Sequence, residues 1–303
     1  MADFSSHPIF LFSTEDLPPV LRGMANEALP AEQTCQGIML VPADVYPRSL
    51  SRRVNPQQAL IFTEAGVLQV AGPGKKGQPA KTQWIPVDQI LKLRLSMILL
   101  YGRVEIWGVL RSNGQVVKID LEYNTVGQPL LKPMLHALIR KSWNEKGNLA
   151  KTHPVDETYS NFVNQSFSFY NALNSVALQL DERVLGIVYQ PEITEPYLKF
   201  FRRAIFPQSV VVMTDRQLIL LQEDVSFKPH HEWIFTFCAW HWIEDIQQND
   251  CQNWQQLTIS LSSSSARENI VFVMEANNAE KLNALWQAVR GKGETTLVTA
   301  EWV

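Results

Sequence analysis

The stretch Gly37-Ile38-Met39-Leu40-Val41-Pro42 returns 149 residues later as Gly186-Ile187-Val188-Tyr189-Gln190-Pro191. Further along, Thr63-Glu64 is matched by Thr214-Asp215 at a spacing of 151 residues. The first pair of stretches is short and mostly apolar, as buried strands usually are. Matches that follow one another in the same order predict that one structural unit occurs twice in this chain.

Later matches keep the order of the repeat. Trp84-Ile85 corresponds to Trp233-Ile234, and Ile90 corresponds to Ile243 at a spacing of 153 residues. The spacing changes so little along the chain that short insertions or deletions in loops account for it. At 303 residues the chain has room for two domains of ordinary size.

Each unit is predicted to open with a helix, continue through short strands and close with an amphipathic helix. The opening helices are assigned to Ser13–Ala28 and Glu157–Leu178, and the closing helices to Pro129–Trp143 and to the segment after Asn277. In the first unit the predicted strands are Gly37–Val41, Gln58–Phe62, Val67–Val70, Gln83–Val87, Ile90–Leu95, Val104–Leu110 and Gln115–Glu122.

This order of elements favours a mainly β fold with α, in the α+β class. It predicts two tandem small antiparallel β-barrels, each with a C-terminal capping helix and an extra N-terminal helix. The predicted domains are residues 1–143 and 157–303, joined by a polar, turn-rich linker at 144–156. The helix after the linker is expected to pack against a barrel because it carries four aromatic residues: Phe162, Phe167, Phe169 and Tyr170.

The order of these elements resembles the pleckstrin-homology (PH) superfold, in particular bacterial PH-like and GRAM-type domains. A polar or acidic turn precedes the first strand in both units, at Ala31-Glu32-Gln33 and at Asp181-Glu182-Arg183. The run from Trp84 to Ile90 is similar to an apolar-Pro-x-x-x-Ile signature of that family, and in the second unit Phe235 is aligned with the proline. The resemblance implies a scaffold that binds lipids, peptides or proteins, since a fold alone does not choose among these ligands.

Composition predicts a cytoplasmic globular protein. Hydrophobic residues make up 46% and charged residues 19% of the chain, which argues against disorder. Three widely separated cysteines, Cys35, Cys238 and Cys251, favour reduced thiols over a disulfide framework. We expect no membrane span and no secretory signal. At a net charge of −3 the chain lacks the basic footprint of a nucleic-acid-binding protein.

Arginine pairs recur in the connection between the first and second strands of the two units. Guanidinium groups bind anions through paired hydrogen bonds, and PH domains that bind phosphoinositides carry basic residues at this place. The aromatic residues of the second connection, Phe200, Phe201 and Phe206, suit either a membrane surface or packing under the barrel. Bracing of the connection by nearby carboxylates is the other role open to the arginines. The candidate ligand-binding residues are Arg48, Arg52, Arg53, Lys199, Arg202 and Arg203.

No catalytic residue, metal site or cofactor is predicted. The nucleophile, zinc-protease and dinucleotide-binding motifs are missing, and His230-His231, Cys238 and His241 lack the spacing of a zinc site. The sequence therefore favours a non-enzymatic binding or scaffolding protein whose partner is a protein or peptide, with no nucleic acid bound. The alternative is a peripheral membrane protein that binds anionic lipid through the arginine-containing connections.

Overall fold

A computed structural model describes ten stretches of the chain, and the rest lies outside the description. We refer to residues 7–144 as the first half and to residues 158–290 as the second half. Most of the predicted linker lies outside the described residues, which are 7–30, 33–48, 51–74, 79–110, 113–144, 158–197, 201–224, 232–251, 254–263 and 265–290.

Within these residues the fold is mainly β with α, in the α+β class that the sequence predicts, and it has five α-helices where the sequence predicts four, because the predicted helix Glu157–Leu178 is divided into two. The strands of the first half are β1 (Ile9–Leu11), β2 (Cys35–Val41), β3 (Asp44–Arg48), β4 (Ser51–Asn55), β5 (Gln58–Thr63), β6 (Gly66–Ala71), β7 (Lys81–Pro86), β8 (Ile90–Ile98), β9 (Tyr101–Val109) and β10 (Val116–Asn124). Those of the second half are β11 (Val184–Gln190), β12 (Ile193–Tyr197), β13 (Phe201–Phe206), β14 (Ser209–Thr214), β15 (Gln217–Asp224), β16 (Glu232–Ala239), β17 (Ile243–Cys251), β18 (Trp254–Ser262) and β19 (Arg267–Met274).

The helices lie before and after the strands of each half. In the first helix Pro18 is the N-cap and Pro19 the first helical residue, the place where a missing backbone N–H costs nothing. A π-helical turn at Leu173–Ala177 continues the fourth helix. The helices are α1 (Pro19–Ala28), α2 (Gln128–Asn144), α3 (Thr158–Gln165), α4 (Phe167–Ala172) and α5 (Ala276–Arg290).

All strand pairs are antiparallel, and one pair joins the two halves. The first sheet has the order β1-β2-β5-β6-β7, and the largest has the order β10-β9-β8-β16-β15-β14-β11. In the largest sheet β8 of the first half pairs with β16 of the second, with Leu95 opposite Phe235. The remaining strands form the sheet β17-β18-β19 and the two-stranded hairpins β3-β4 and β12-β13.

The expected closed barrels are therefore corrected to open sheets. No sheet built from the described strands returns to its first strand. Closing the first barrel would require β7 to pair with β8. Instead the chain turns through a 3-10 turn at Val87–Gln89, and β8 pairs with β9 and β16. The backbone N–H and C=O groups of β8 are thereby satisfied by the other half of the chain.

The same strand register occurs at the glycine and threonine matches. Gly37 follows an irregularity in β2 and faces the residue before Thr63, while Gly186 follows one in β11 and faces the residue before Thr214. Each threonine hydroxyl accepts a hydrogen bond from the turn that follows its strand. Both glycines also lie against a closing helix, α2 for Gly37 and α5 for Gly186.

The third match, Trp84 with Trp233, is wrong. Gly66 pairs with Pro86 in the first half, and Gln217 pairs with Ala239 in the second. Because Gly66 and Gln217 are equivalent positions, their strand partners Pro86 and Ala239 are equivalent too. Two residues earlier, Trp84 corresponds to Phe237, so Phe235 does not replace the proline. The sequence match failed because β16 begins further upstream in its sheet than β7 does.

Both faces of the first sheet are buried, and so are both faces of the strands that the second half contributes to the largest sheet. On the first sheet, α1 covers one face with Leu21 and Ala25, and the opposite face contributes Met39 and Leu60 to a core that includes Leu135 of α2. In the second half α5 packs on the face that carries Val188, Val211 and Met213.

Helices α3 and α4 cover the other face of the second half's strands. Phe162 and Phe169 are fully buried there and make edge contacts with Tyr189, while Phe169 also contacts Trp233. Phe167 departs from the expectation, because its side chain is 66% exposed. It lies at the first position of α4, just after the break that separates α3 from α4, so it misses the buried face.

Candidate functional site

A groove of about 1080 Å³ lies at the junction of the two halves. One wall is the solvent-facing side of α2, and the other is the segment that leads from the π-helical turn into β11. Because both halves supply residues, the groove exists only when they are packed together. Its lining consists of Pro129, Lys132, Pro133, His136, Ala137, Arg140, Lys141, Tyr159, Asn174, Leu178, Gln179, Leu180, Glu182, Arg183 and Val184.

Helical spacing places three basic side chains on the groove side of α2. Lys132, His136 and Arg140 are four residues apart, so they lie above one another along the helix. The opposite side of α2 buries Leu131, Leu135 and other apolar residues in the core, which fixes the rotation of the helix. The basic row is therefore held toward the second half by core packing.

Two of these side chains bind the backbone of the second half. The Lys132 amine donates to the carbonyl oxygen of Ser175, and His136 Nε2 donates to that of Val176 at 3.0 Å. Both carbonyls belong to the π-helical turn. Arg140 Nε donates to the side-chain oxygen of Gln179 at 3.4 Å. These contacts set the width of the groove.

The second wall is fixed by an acidic turn. Glu182 accepts hydrogen bonds from the Thr214 hydroxyl at 2.6 Å and the Gln217 amide at 2.7 Å, and also from the backbone N–H of Gln179. Burial raises the pKa of Glu182, and these hydrogen bonds oppose the shift. The acidic turn noted in the sequence is thus an anchor for the wall, joined to the turn between β14 and β15.

The groove is electropositive although the chain as a whole carries a net charge of −3. Its lining holds four cationic residues and one carboxylate, that of the anchored Glu182. Asp181 at the rim is paired with Arg216 at 2.7 Å, and Lys141 is paired with Glu64 at 3.3 Å. The Lys141–Glu64 pair is exposed and contributes little energy, so an incoming carboxylate can replace Glu64 at low cost. The Arg216 side chain is largely buried and holds Asp181 in place, 4.0 Å from Arg140.

We expect the junction to weaken in mild acid through His136. Burial lowers the pKa of His136 below its ordinary value of 6.5, and the positive charges of Lys132 and Arg140 lower it further. The hydrogen bond to Val176 opposes this shift. The unfolded chain binds the proton more readily. The stabilising contribution of neutral His136 is therefore fully present above pH 6.5 and is lost as the pH falls below it. Thermal melting at pH 7.5 and 5.5 measures this loss.

His136→Gln provides the matched comparison, because glutamine can still donate to Val176 but does not titrate. The variant should lose less stability than the parent protein between the two pH values. Glu182, whose pKa is raised, acts in the opposite direction in both proteins and cancels in the comparison. Equal losses would show that His136 does not couple the junction to pH.

The arginine-containing connections form β-hairpins, which the sequence does not predict. Arg48 ends β3, Arg52 and Arg53 lie on β4, and Arg202 and Arg203 lie on β13. Pro47 is the strand partner of Arg52, just as Pro196 is the partner of Arg202. Lys199 lies outside the described residues.

Of these candidates Arg203 is described with its side chain, which is exposed and lies directly across from the exposed Glu195. Phe206, at the end of the same strand, packs its ring against Trp254 at 4.9 Å between centroids. Packing, one of the two roles left open for this aromatic residue, is therefore the one observed. Arg203, the one of the six predicted ligand residues whose side chain is described, does not line the junction groove.

Sequence reasoning missed the groove because it treated α2 only as an amphipathic helix. The basic row Lys132, His136 and Arg140 is readable from its spacing of four residues. The second wall cannot be predicted from the sequence, since nothing in the sequence shows that Leu178–Val184 lies beside α2. That proximity comes from the pairing of β8 with β16.

Comparisons with known protein families, with curated proteins and with solved structures found no match to this chain. No helix in the described part of the chain is both long and apolar enough to cross a membrane. Over the same residues, no three His, Cys, Asp or Glu side chains gather closely enough to hold a metal ion. Cys238 is buried in the core of the second half, and His230 and His231 lie outside the description.

Proposed function

We propose that this chain is a cytoplasmic, non-enzymatic binding or scaffolding protein with two PH-like units, and that it binds an acidic segment of a partner protein or peptide. The junction groove carries this proposal. Its volume of about 1080 Å³ leaves room for a short peptide segment, it is lined by four cationic residues, and both of its walls are anchored by hydrogen bonds. Preformed walls reduce the ordering cost that binding must overcome.

The repeated register supports the PH-like assignment. In both halves a glycine after a strand irregularity lies under the closing helix, and a threonine caps the next turn. In both, a short hairpin with an arginine pair follows the first long strand, and a 3-10 turn leads into the last three strands. Two copies of one structural unit would explain why these features recur in both halves.

The alternative is a peripheral membrane protein that binds anionic lipid through the arginine hairpins. The exposure of Arg203 favours this function. Against it, Glu195 faces Arg203 across the hairpin and reduces the local positive potential. The junction groove is the better candidate, because its cations converge from two walls on one space.

Binding of a fluorescein-labelled peptide of eight glutamates tests the proposal. We expect saturable binding that weakens as salt is added, since carboxylate–cation attraction is screened. Arg140→Gln combined with Arg183→Gln removes one cation from each wall and should weaken binding at least about tenfold, or about 1.4 kcal/mol. Fluorescence anisotropy in low and high salt measures both effects.

The matched control is Arg203→Gln combined with Arg267→Gln, which removes two exposed arginines elsewhere and should leave the affinity unchanged. Equal weakening by both double variants would show attraction without a site and contradict the proposal. Vesicles with phosphatidylserine provide a second arm. Strong vesicle binding that is lost on replacing Arg52, Arg53, Arg202 and Arg203 with alanine would favour the membrane function instead.

A further inference from the structure

Four exposed aliphatic side chains lie together at one end of the first half. Leu99 and Leu100 form the two-residue turn between β8 and β9. Val126 lies in the 3-10 turn before α2, and Leu130 follows one helical turn later, on the same side of that segment. The exposed fractions of the four residues lie between 48% and 70%. We call these four side chains the apolar tip.

Hydrogen bonds hold the two parts of the apolar tip against each other. The Thr125 hydroxyl donates to the carbonyl oxygen of Leu99, and the Thr125 backbone N–H donates to that of Leu100 at 3.2 Å. The chain around the tip is also free of charge, since residues 95–102 and 123–131 contain no Asp, Glu, Lys, Arg or His. The tip is therefore a fixed, uncharged and apolar surface.

The backbone of Leu99 shows that folding alone does not favour leucine here. Its φ is 44°, and among the described residues other than glycine it alone has a positive φ. Glycine, asparagine and aspartate are the usual residues in such a turn, because other side chains are strained in the left-handed region. The Leu99 side chain is 70% exposed, so packing does not repay the strain. A strained residue without a packing role points to a function for its side chain.

The second half carries polar residues at all four equivalent positions. The strand pair Ile98–Tyr101 that closes the turn corresponds to Cys251–Trp254 at a spacing of 153 residues. Met134 of α2 and Leu285 of α5, which contact equivalent glycines, are 151 residues apart. The repeated fold therefore does not require apolar side chains at these positions. By the two spacings, the four counterparts of the tip are Gln252, Asn253, Asn277 and Lys281.

We propose that the apolar tip inserts into the surface of a lipid bilayer and attaches the first half to it weakly and reversibly. Aliphatic side chains transfer favourably from water into a membrane, and this gain does not require charged lipid. None of the four side chains lines the junction groove, and the proposal does not depend on the function proposed for that groove.

The size and composition of the tip favour a membrane over a second copy of this chain or another protein. Four partly exposed side chains offer roughly a few hundred Å², whereas each partner in a stable protein interface buries about 800 Å². Protein interfaces also take most of their binding energy from Trp, Tyr and Arg, while Leu and Val are under-represented there. Leucine and valine alone make up the tip.

Flotation of the full-length protein with small vesicles of phosphatidylcholine tests the proposal, because this lipid carries no net charge. At millimolar lipid the protein should bind, and added salt should not reduce the bound fraction. Leu99→Asn combined with Leu100→Gln should lower the partition coefficient at least about tenfold. Asparagine tolerates a positive φ, so this variant should melt at or above the temperature of the parent protein. Its loss of binding then does not come from unfolding.

The matched control is Val20→Asn combined with Val271→Gln, which removes two exposed aliphatic side chains elsewhere and should leave the partition coefficient unchanged. Equal weakening by both double variants would overturn the proposal. Binding that requires phosphatidylserine and disappears in high salt would also overturn it, as would a failure of the parent protein to float.

Sedimentation without lipid tests the other occupant. The parent protein and the Leu99→Asn, Leu100→Gln variant should have the same molecular mass in solution. A dimer that only the parent protein forms would assign the tip to a second copy of this chain and refute the membrane proposal. Octaglutamate binding should be unchanged in this variant, so the two proposals fail independently.

Discussion

Replacing Phe235 with alanine is expected to lower the free energy of unfolding by about 3–5 kcal/mol, the range for truncating a large buried aromatic residue. Phe235 is fully buried on β16, opposite Leu95 of β8, where the two halves share a sheet. Its ring stacks on Phe237 at 6.3 Å between centroids. Truncation leaves a cavity that β8 and β16 cannot close, because their register is fixed by six paired positions. Urea denaturation followed by circular dichroism measures the loss.

Val271→Ala is the matched control for a strand residue. Val271 lies on β19 and is 53% exposed, so its truncation should change the stability by well under about 1 kcal/mol. The shared sheet further predicts that the parent protein unfolds in one transition. The contradicting result has two parts: the parent protein unfolds in two transitions, and Phe235→Ala keeps both with little loss of stability. That result would show that β8 and β16 do not join the halves in solution.

Replacing Gly66 with alanine is expected to cost about 3 kcal/mol, the upper part of the usual range for overpacking. Gly66 opens β6 and pairs with Pro86 of β7. An added Cβ would lie 2.3 Å from the carbonyl oxygen of Ile85 and 2.8 Å from the ring of Trp84. The first contact is with backbone, so no side-chain rotation relieves it, and the two strands must separate.

Gly23→Ala is the same chemical change with the opposite expected sign. Gly23 lies in the interior of α1, and nothing lies within 4 Å of the position its Cβ would take. Alanine favours the helix by up to about 1 kcal/mol over glycine, so this variant should gain stability. If Gly66→Ala left the urea midpoint unchanged or raised it, the close approach of β6 to β7 would be refuted.

The junction and the groove depend on the same strand pair. Because α2 and Leu178–Val184 meet only when the halves are packed together, a variant that opens the junction should also lose the groove. Phe235→Ala therefore provides a second test of the proposed function. Binding of octaglutamate should decrease in the urea range where the variant, but not the parent protein, begins to unfold.

Local pattern predicted most of the elements. Seven strands of the first half were placed within a few residues, and α2 was predicted within a residue at each end, because an apolar period of two or of 3.6 depends on neighbouring residues alone. The strand β1 was missed since its three residues are too few to show a period. The hairpins β3-β4 and β12-β13 were missed because prolines and arginines obscure any alternation.

The candidate site was predicted only in part. The acidic turn that carries Glu182 was singled out, but its role as an anchor was not. The arginine pairs were singled out as ligand residues, and they lie on the hairpins β3-β4 and β12-β13. Trp84 was matched to Trp233 on residue identity, whereas strand pairing relates it to Phe237, because hydrogen-bond register follows position in the sheet and not side-chain type.

The sequence by itself determined seven strands of the first half, the closing helix α2, the order of these elements, and the recurrence of one glycine and threonine register in both halves. Only the tertiary structure decided that β8 leaves β7 for β16, which opens the expected barrels and joins the halves into one sheet. The reason is physical. Backbone hydrogen bonds between strands are alike for every residue except proline, so an apolar strand can pair with any edge that its packing allows. Which edge it takes depends on contacts between segments more than a hundred residues apart, such as Leu95 with Phe235, and these contacts leave no local pattern.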